Sequence, residues 1–191
     1  MASINVRDRQ VNAKIVYYGP GLSGKTSNLI NIHQRMPVET RGPLRSIETD
    51  AERTLFFDFV PVEPIHVGGW DVRFHLYSVP GQETYQRTRR AILGGADGVV
   101  FVADSDAERL DANRASLAEL REHLAQYGHA ADDLPLVMQY NKVDLATALP
   151  FEQLQAELNP DDFPAFRAIA PRGNGVAETL RAISQRVATK L

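Results

Sequence analysis

Residues 19–26 read Gly-Pro-Gly-Leu-Ser-Gly-Lys-Thr, and no other stretch limits the fold so tightly. The octet fits G-x-x-x-x-G-K-[ST]. It stands between the apolar run Lys14–Tyr18 and a helix-like segment from Lys25 to about Met36. That order of strand, glycine-rich turn and helix is the setting in which the motif cradles phosphate. Glycines let the backbone curl so that successive N–H groups converge on phosphate oxygens. The helix start adds its positive dipole end. Lys25 supplies a mobile cation to the β- and γ-phosphates, and the Thr26 hydroxyl is suited to ligate Mg²⁺. Gly19, Gly21, Leu22, Ser23, Gly24, Lys25, Thr26 and Ser27 are the candidate phosphate-site residues. Alone, the motif implies a nucleotide without saying which one.

Downstream, apolar strand-like runs alternate with helix-like segments, the pattern of an α/β fold with a mostly parallel central sheet flanked by helices. Residues 37–53 are polar and contain proline, and they read as a long loop. Strands are expected at Thr54–Val62 and Asp71–Tyr77. In the second, Val72, Phe74 and Leu76 alternate with Arg73, His75 and Tyr77. A short connection between them predicts one antiparallel pair. GVVFVA, Gly98–Ala103, reads as a buried strand followed by a capping box, with Ser105 as N-cap and Glu108 three residues on. Leu110, Leu117, Leu120, Leu124 and Tyr127 then mark one helical face. Leu134–Tyr140 is a further strand, Phe151–Leu158 a short helix, and Phe166–Ala170 the last strand. Val176, Leu180, Ile183 and Val187 stripe the final helix. Ile4–Val11 reads as an extra edge strand or arm. The 191 residues suit one domain spanning 1–191.

Asn141-Lys-Val-Asp144 follows the strand LPLVMQY. Guanine offers two N–H donors on one edge where adenine does not, and a carboxylate accepts both as a charge-assisted pair. Asp144 is placed for that role, the Lys142 stem to lie over the base, and Asn141 to tie this loop to the phosphate loop. The backbone N–H of Ala170, at the end of the next strand, is a candidate donor to guanine O6. N-K-x-D alone is a common polar turn. Downstream of a phosphate loop and at a strand end it points to guanine.

The combination resembles the Ras-like small GTPase superfamily over nearly the whole chain. GVVFVADSDAERL, Gly98–Leu110, is more similar to the Arf-type branch than to Ras. The runs IVYYGPGLSGKT, ERTLFFDF, FHLYSVPGQ and QYNKVDL resemble the bacterial MglA group of polarity GTPases. The resemblance implies a P-loop GTPase fold and a switch that binds GTP or GDP with Mg²⁺ and hydrolyses GTP. Hydrolysis would be slow alone and faster with an activator. Ser78-Val-Pro-Gly81-Gln82 occupies the place of D-x-x-G-Q. Gly81 would donate to the γ-phosphate, and Gln82 would orient the attacking water. Thr54, closing the long loop, is the candidate second Mg²⁺ ligand, with Thr49 as fallback. Arg53 beside it is the candidate arginine finger supplied in cis. The alternative for Arg53 is a loop arginine facing solvent or paired with Glu48, Asp50 or Glu52. Ser78 departs from the usual aspartate, and Asp58 or Asp104 are the carboxylates that would replace it. That departure also supports a second reading, a guanine-nucleotide-binding module with little hydrolysis. A P-loop ATPase or kinase, the third, lacks support from residues 141–144. Arg87, Arg89 and Arg90 read as a solvated helix face or, less expectedly, a partner surface.

By the same resemblance the partners are an MglB-like activator of the roadblock fold and effectors of polarity or motility. A net charge of −3 gives no reason to expect nucleic acid. There is no cysteine, so thiol catalysis and prenylation are excluded, and position 2 is not glycine. No lipid anchor is therefore expected. No apolar run approaches the roughly 18 residues that span a bilayer. The expected location is the cytoplasm, with concentration at a cell pole as the polarity role implies.

Overall fold

In the computed structural model the described residues are 2–6, 9–48, 53–59, 65–81, 85–128 and 134–191. Of 47, 48 and 53–59 only the backbone is described. The chain begins with β1 (Ser3–Asn5), β2 (Gln10–Tyr18), α1 (Lys25–Arg35), β3 (Arg45–Glu48) and β4 (Arg53–Phe59). It continues with β5 (His66–Val67), β6 (Trp70–Ser78), α2 (Gln86–Leu93), β7 (Gly98–Asp104) and α3 (Leu110–Gln126). It ends with β8 (Leu136–Asn141), α4 (Phe151–Leu158), β9 (Ala165–Ala168) and α5 (Val176–Lys190). The sheet order is β3-β4-β6-β2-β7-β8-β9, with β1 added to β2 and β5 to β6. From β6 to β9 neighbours are parallel, and β4 pairs antiparallel with β6.

Side-chain alternation explains why both faces of this sheet are covered. In β2, Ala13, Ile15 and Tyr17 face one way and pack with Leu29 and Ile32 of α1 and Leu180, Ile183 and Val187 of α5. Val16 and Tyr18 face the other way, into a core with Leu93 of α2, Leu117, Leu120 and Leu124 of α3, and Leu154 of α4. Strand β7 is buried along its whole length and divides the same way, Val100 and Val102 against Val99, Phe101 and Ala103. A strand buried on both faces reads as a continuous apolar run, which is why GVVFVA was legible. Parallel strands end at a common edge, so the loops after β2, β6, β7, β8 and β9 gather there.

Five expectations change. The loop 37–53 contains a 3-10 turn at Val38–Thr40 and strand β3, whose Ser46 and Ile47 face Leu55 and Thr54 of β4. β3 carries no apolar alternation. It exists because an already placed β4 offers it a backbone ladder, and its charged residues suit a short edge strand. Ser105 is not the N-cap: its N–H bonds Asn141 O, so it still follows the sheet, and Asp106 caps instead by accepting from Glu108 N at 3.1 Å. Strand β9 stops at Ala168, and Ala170 opens a 3-10 turn, Ala170–Arg172. Val11 lies in β2, and only Ser3–Asn5 forms the added edge strand. On α3, Leu117, Leu120 and Leu124 are buried as expected, whereas Tyr127, just past the helix end, is 44% exposed.

The arginine cluster after β6 is also not a uniformly solvated face. Arg89 is 4% exposed and directs Nε (3.2 Å) and an Nη (2.7 Å) at Glu119 Oε1 of α3. Its other Nη reaches Pro80 O at 3.4 Å. Beside it, Tyr18 Oη lies 3.2 Å from His123 Nδ1. Burial pushes the His123 pKa below its usual value. Removing one partner of a buried pair leaves an uncompensated charge. Glu119 keeps some access to water, so Glu119→Ala is expected to cost about 2 kcal/mol rather than the full penalty. In a chain of this size that lowers the melting temperature by about 4–8 °C. Thermal unfolding followed by circular dichroism checks it; an unchanged midpoint would mean that Arg89 does not depend on Glu119.

Candidate functional site

The phosphate loop is built where β2 ends and α1 begins. Gly24 sits at the helix start with φ 101°, and Leu22 adopts φ 65°, a left-handed conformation rare for a branched side chain. Left-handed residues beside right-handed ones turn successive N–H groups to one side, the concave nest that binds anions. Leu22 is exposed, whereas Ser23 and Lys25 are buried. Lys25 Nζ is held at the loop by Gly19 O (2.9 Å) and Pro20 O (2.6 Å). Ser23 Oγ is buried without a hydrogen-bond partner among the described residues. Thr26 and Ser27 occupy the first turn of α1 and are half-buried. A buried ammonium, a nest and a helix start converging on one point suit a polyphosphate.

The base-side loop leaves the end of β8. Asn141 is buried and serves two neighbours at once: Nδ2 donates to Ser23 O at 2.8 Å, and Oδ1 accepts from Ala170 N at 2.9 Å. One side chain therefore joins the phosphate loop, the β8 loop and the turn after β9. Gly24 is required here for a second reason, since a Cβ at that position would overlap Asn141 Nδ2. The Ala170 N–H, expected at a base oxygen, is engaged by Asn141. Lys142 has φ 65°, strain of the kind that gathers at functional sites. Its Nζ lies 2.6 Å from Asp104 Oδ2, and that carboxylate is buried. Asp104 also accepts from Asp106 N. It is thus committed to the base side and does not stand in for the carboxylate missing at Ser78. Asp144 is exposed at the tip of the loop, where its carboxylate is open to a ligand.

Ser78 is buried at the end of β6. Gly81 lies against the phosphate loop: a Cβ there would overlap Gly21 Cα and stand 2.8 Å from Lys25 Nζ. Gln82 lies outside the described residues, as do Thr49, Asp50 and Glu52. Of Arg53 and Thr54 the backbone is described. Phe56 pairs with Tyr77, so the antiparallel register carries Arg53 and Thr54 beyond Ser78, at the phosphate-loop edge. Asp58 sits opposite His75, farther from that edge, and its side chain is not described. Among the described residues no cluster of three or more His, Cys, Asp or Glu could hold a metal. A cation here would rest on hydroxyls, water and ligand phosphates; Mg²⁺ keeps several waters and draws on substrate phosphates.

Sequence reasoning missed two members of this neighbourhood. Arg109, in the 3-10 turn before α3, donates an Nη hydrogen to Gly21 O at 2.9 Å. Its surroundings, DAERL, look like an ordinary polar turn, and nothing local marks it. Asp104 as the Lys142 partner had one signal, a carboxylate closing an otherwise apolar buried strand.

The ADP-ribosylation factor family model matches residues 3–187. The Mutual gliding-motility protein MglA of Myxococcus xanthus (strain DK1622) is 49% identical to this chain over 191 residues, covering 100% of this chain and 98% of that protein. No helix among the described residues is long and apolar enough to cross a membrane.

Proposed function

The chain belongs to the ADP-ribosylation factor family, among the Ras-like small GTPases, and on that premise we propose that it is a GTP-operated switch for cell polarity and motility. It binds guanine nucleotide and hydrolyses GTP to GDP and phosphate. The whole chain, 1–191, works as one domain. The observation that carries the reading is Asn141, which ties the base-side loop to the phosphate loop through Ser23 O and to Ala170. That strut fixes the span between a polyphosphate cradle and an exposed carboxylate, the span a guanine nucleotide has to match.

In this reading Gly19, Gly21, Leu22, Ser23, Gly24, Lys25 and Ser27 hold the phosphates, and Asp144 reads the guanine edge beside the Lys142 stem. Mg²⁺, held by the Thr26 and Thr54 hydroxyls, supplies positive charge against the phosphates. Gly81, already packed on Gly21, donates its N–H to the γ-phosphate, so the segment after β6 senses that group. Gln82 orients water, and Arg53 offsets the charge that develops. Loss of the γ-phosphate then frees the segments at Thr54 and Gly81, the order–disorder logic of such switches. The output is a changed partner affinity. The gliding-motility relative of Myxococcus xanthus supports a motility role, and the partners proposed are an MglB-like roadblock-fold activator and polarity effectors. Localisation at a cell pole belongs to the same proposal.

Two measurements test it. Nucleotide extracted from the purified protein should be GDP or GTP, and ATP should fail to compete for the site. A roadblock-fold activator should bind the GTP-loaded chain more tightly than the GDP-loaded chain, because only differential affinity can couple binding to the switch. Calorimetry on both loaded states reads this directly, and equal affinities would sink the regulatory half of the proposal.

A further inference from the structure

Arg109 approaches the phosphate loop from outside. Its turn is rigidly mounted: Asp106 caps Glu108 N, Arg109 N bonds Asp106 O, and Ala107 N bonds Thr147 O of the segment after the base-side loop. From that mount the guanidinium reaches Gly21 O at 2.9 Å. The contact bridges 88 positions and forms a second strut onto the phosphate loop, from the turn after β7, beside the one from Asn141. A half-buried arginine stays charged at any physiological pH, and a hydrogen bond from it is charge-assisted.

The Gly21–Leu22 peptide then has a defined direction. In a trans peptide the C=O and the N–H point opposite ways. With Gly21 O turned outward to Arg109, the Leu22 N–H points into the concave side of the loop. Among the described residues no protein group accepts from it. Drawing electron density towards the carbonyl oxygen makes the N–H of the same amide a stronger donor, the cooperative strengthening seen in linked hydrogen bonds. The left-handed φ of Leu22 is the backbone cost of holding this orientation.

We propose that Arg109 is a positioning residue for GTP hydrolysis, which turns and polarises the Gly21–Leu22 peptide so that the Leu22 N–H meets charge developing on the departing diphosphate. The inference rests on the GTPase reading of the site. In the reaction water forms the new bond to the γ-phosphorus, and the bond from that phosphorus to the bridging oxygen breaks. The electron pair passes to the diphosphate, and the proton of the water leaves with phosphate. A donor aimed at the leaving diphosphate does most in the transition state, so Arg109 acts on rate more than on ground-state affinity.

The test compares wild type, Arg109→Ala and Arg109→Lys, all checked for folding by circular dichroism. Deleting a direct transition-state donor costs about 10²–10³-fold, so losing a group that acts through one is expected to slow single-turnover hydrolysis about tenfold. GTP affinity should change less than about threefold, because that charge is not yet developed in the bound substrate. Arg109→Lys, which keeps the cation, should recover most of the rate. The ³¹P resonance of the β-phosphate of bound GDP should move in Arg109→Ala and return in Arg109→Lys. A wild-type rate in Arg109→Ala overturns the proposal. So does a rate loss matched by an equal loss of GTP affinity and not rescued by lysine, which would make Arg109 a scaffold of the loop. A wild-type chain that neither binds nor hydrolyses GTP overturns the GTPase reading itself, and this inference with it.

Discussion

Replacing Arg53 by alanine is expected to leave GTP binding intact and to remove most of the activator-stimulated hydrolysis. An unassisted Ras-like switch turns over at roughly 10⁻⁴ s⁻¹, and an arginine finger adds about 10³–10⁵-fold. The placement of Arg53 makes it the candidate. β4 runs antiparallel to β6, and with Phe56 opposite Tyr77 its first residues lie beyond Ser78, on the side of the phosphate loop. Arg53 also begins the ladder with β3, paired with Glu48. An activator would therefore act by setting this hairpin rather than by lending its own arginine. The charge of Arg53 is needed as the transition state forms, so its loss spares the ground state. Gln82→Leu should instead abolish both the basal and the stimulated rate, because water must be oriented in either case. Single-turnover assays of both variants, with and without a roadblock-fold activator, separate the roles. Full stimulation of Arg53→Ala would leave Arg53 as a residue of β4 with no part in catalysis.

Asp144→Asn is expected to weaken GTP binding by about 3–6 kcal/mol, the worth of two hydrogen bonds to a charged group at about 1.5–3 kcal/mol each. Xanthine nucleotide should gain, since its C2 carbonyl accepts from the new amide. Asp144 is exposed at the loop tip, so the substitution should leave the fold unchanged. What holds the loop in place is Asn141, through Ser23 and Ala170, together with the Lys142–Asp104 pair. Competition between GTP and xanthosine triphosphate reads the outcome. Unchanged GTP affinity would mean that guanine is recognised elsewhere.

Much of this molecule is written locally. A left-handed turn needs glycine within a few residues, a strand buried on both faces needs an unbroken apolar run, and a packed helix needs its stripe. Each of these is a property of neighbours in the chain. Hence Gly19–Thr26, Gly98–Ala103, helix Phe151–Leu158 and the Val176–Val187 stripe were legible, and so was the antiparallel pairing of β4 with β6. The role of Asn141 as a tie between two loops was legible too, because its motif has a fixed relation to the strand end.

Pairings across the fold were not. Periodicity reports whether a residue is buried, a property of one side chain; it does not say against what. Arg89 looked like surface, and a carboxylate 30 positions away on α3 buried it. Asp104 looked free to serve a metal until β7 and β8, paired with Asp104 opposite Asn141, set Lys142 beside it. β3 has no strand pattern of its own, and the ladder offered by β4 made it a strand. Arg109 reaches Gly21 only because the parallel order of β2 and β7 brings their carboxyl ends, and the turns that follow them, to one edge. By itself the sequence determined the glycine-rich turn between β2 and α1, the polar loop after β8 and the alternation of strands and helices, because short-range sterics and burial dictate these. The tertiary structure decided which charges meet around that site, because such contacts depend on how distant segments are brought together.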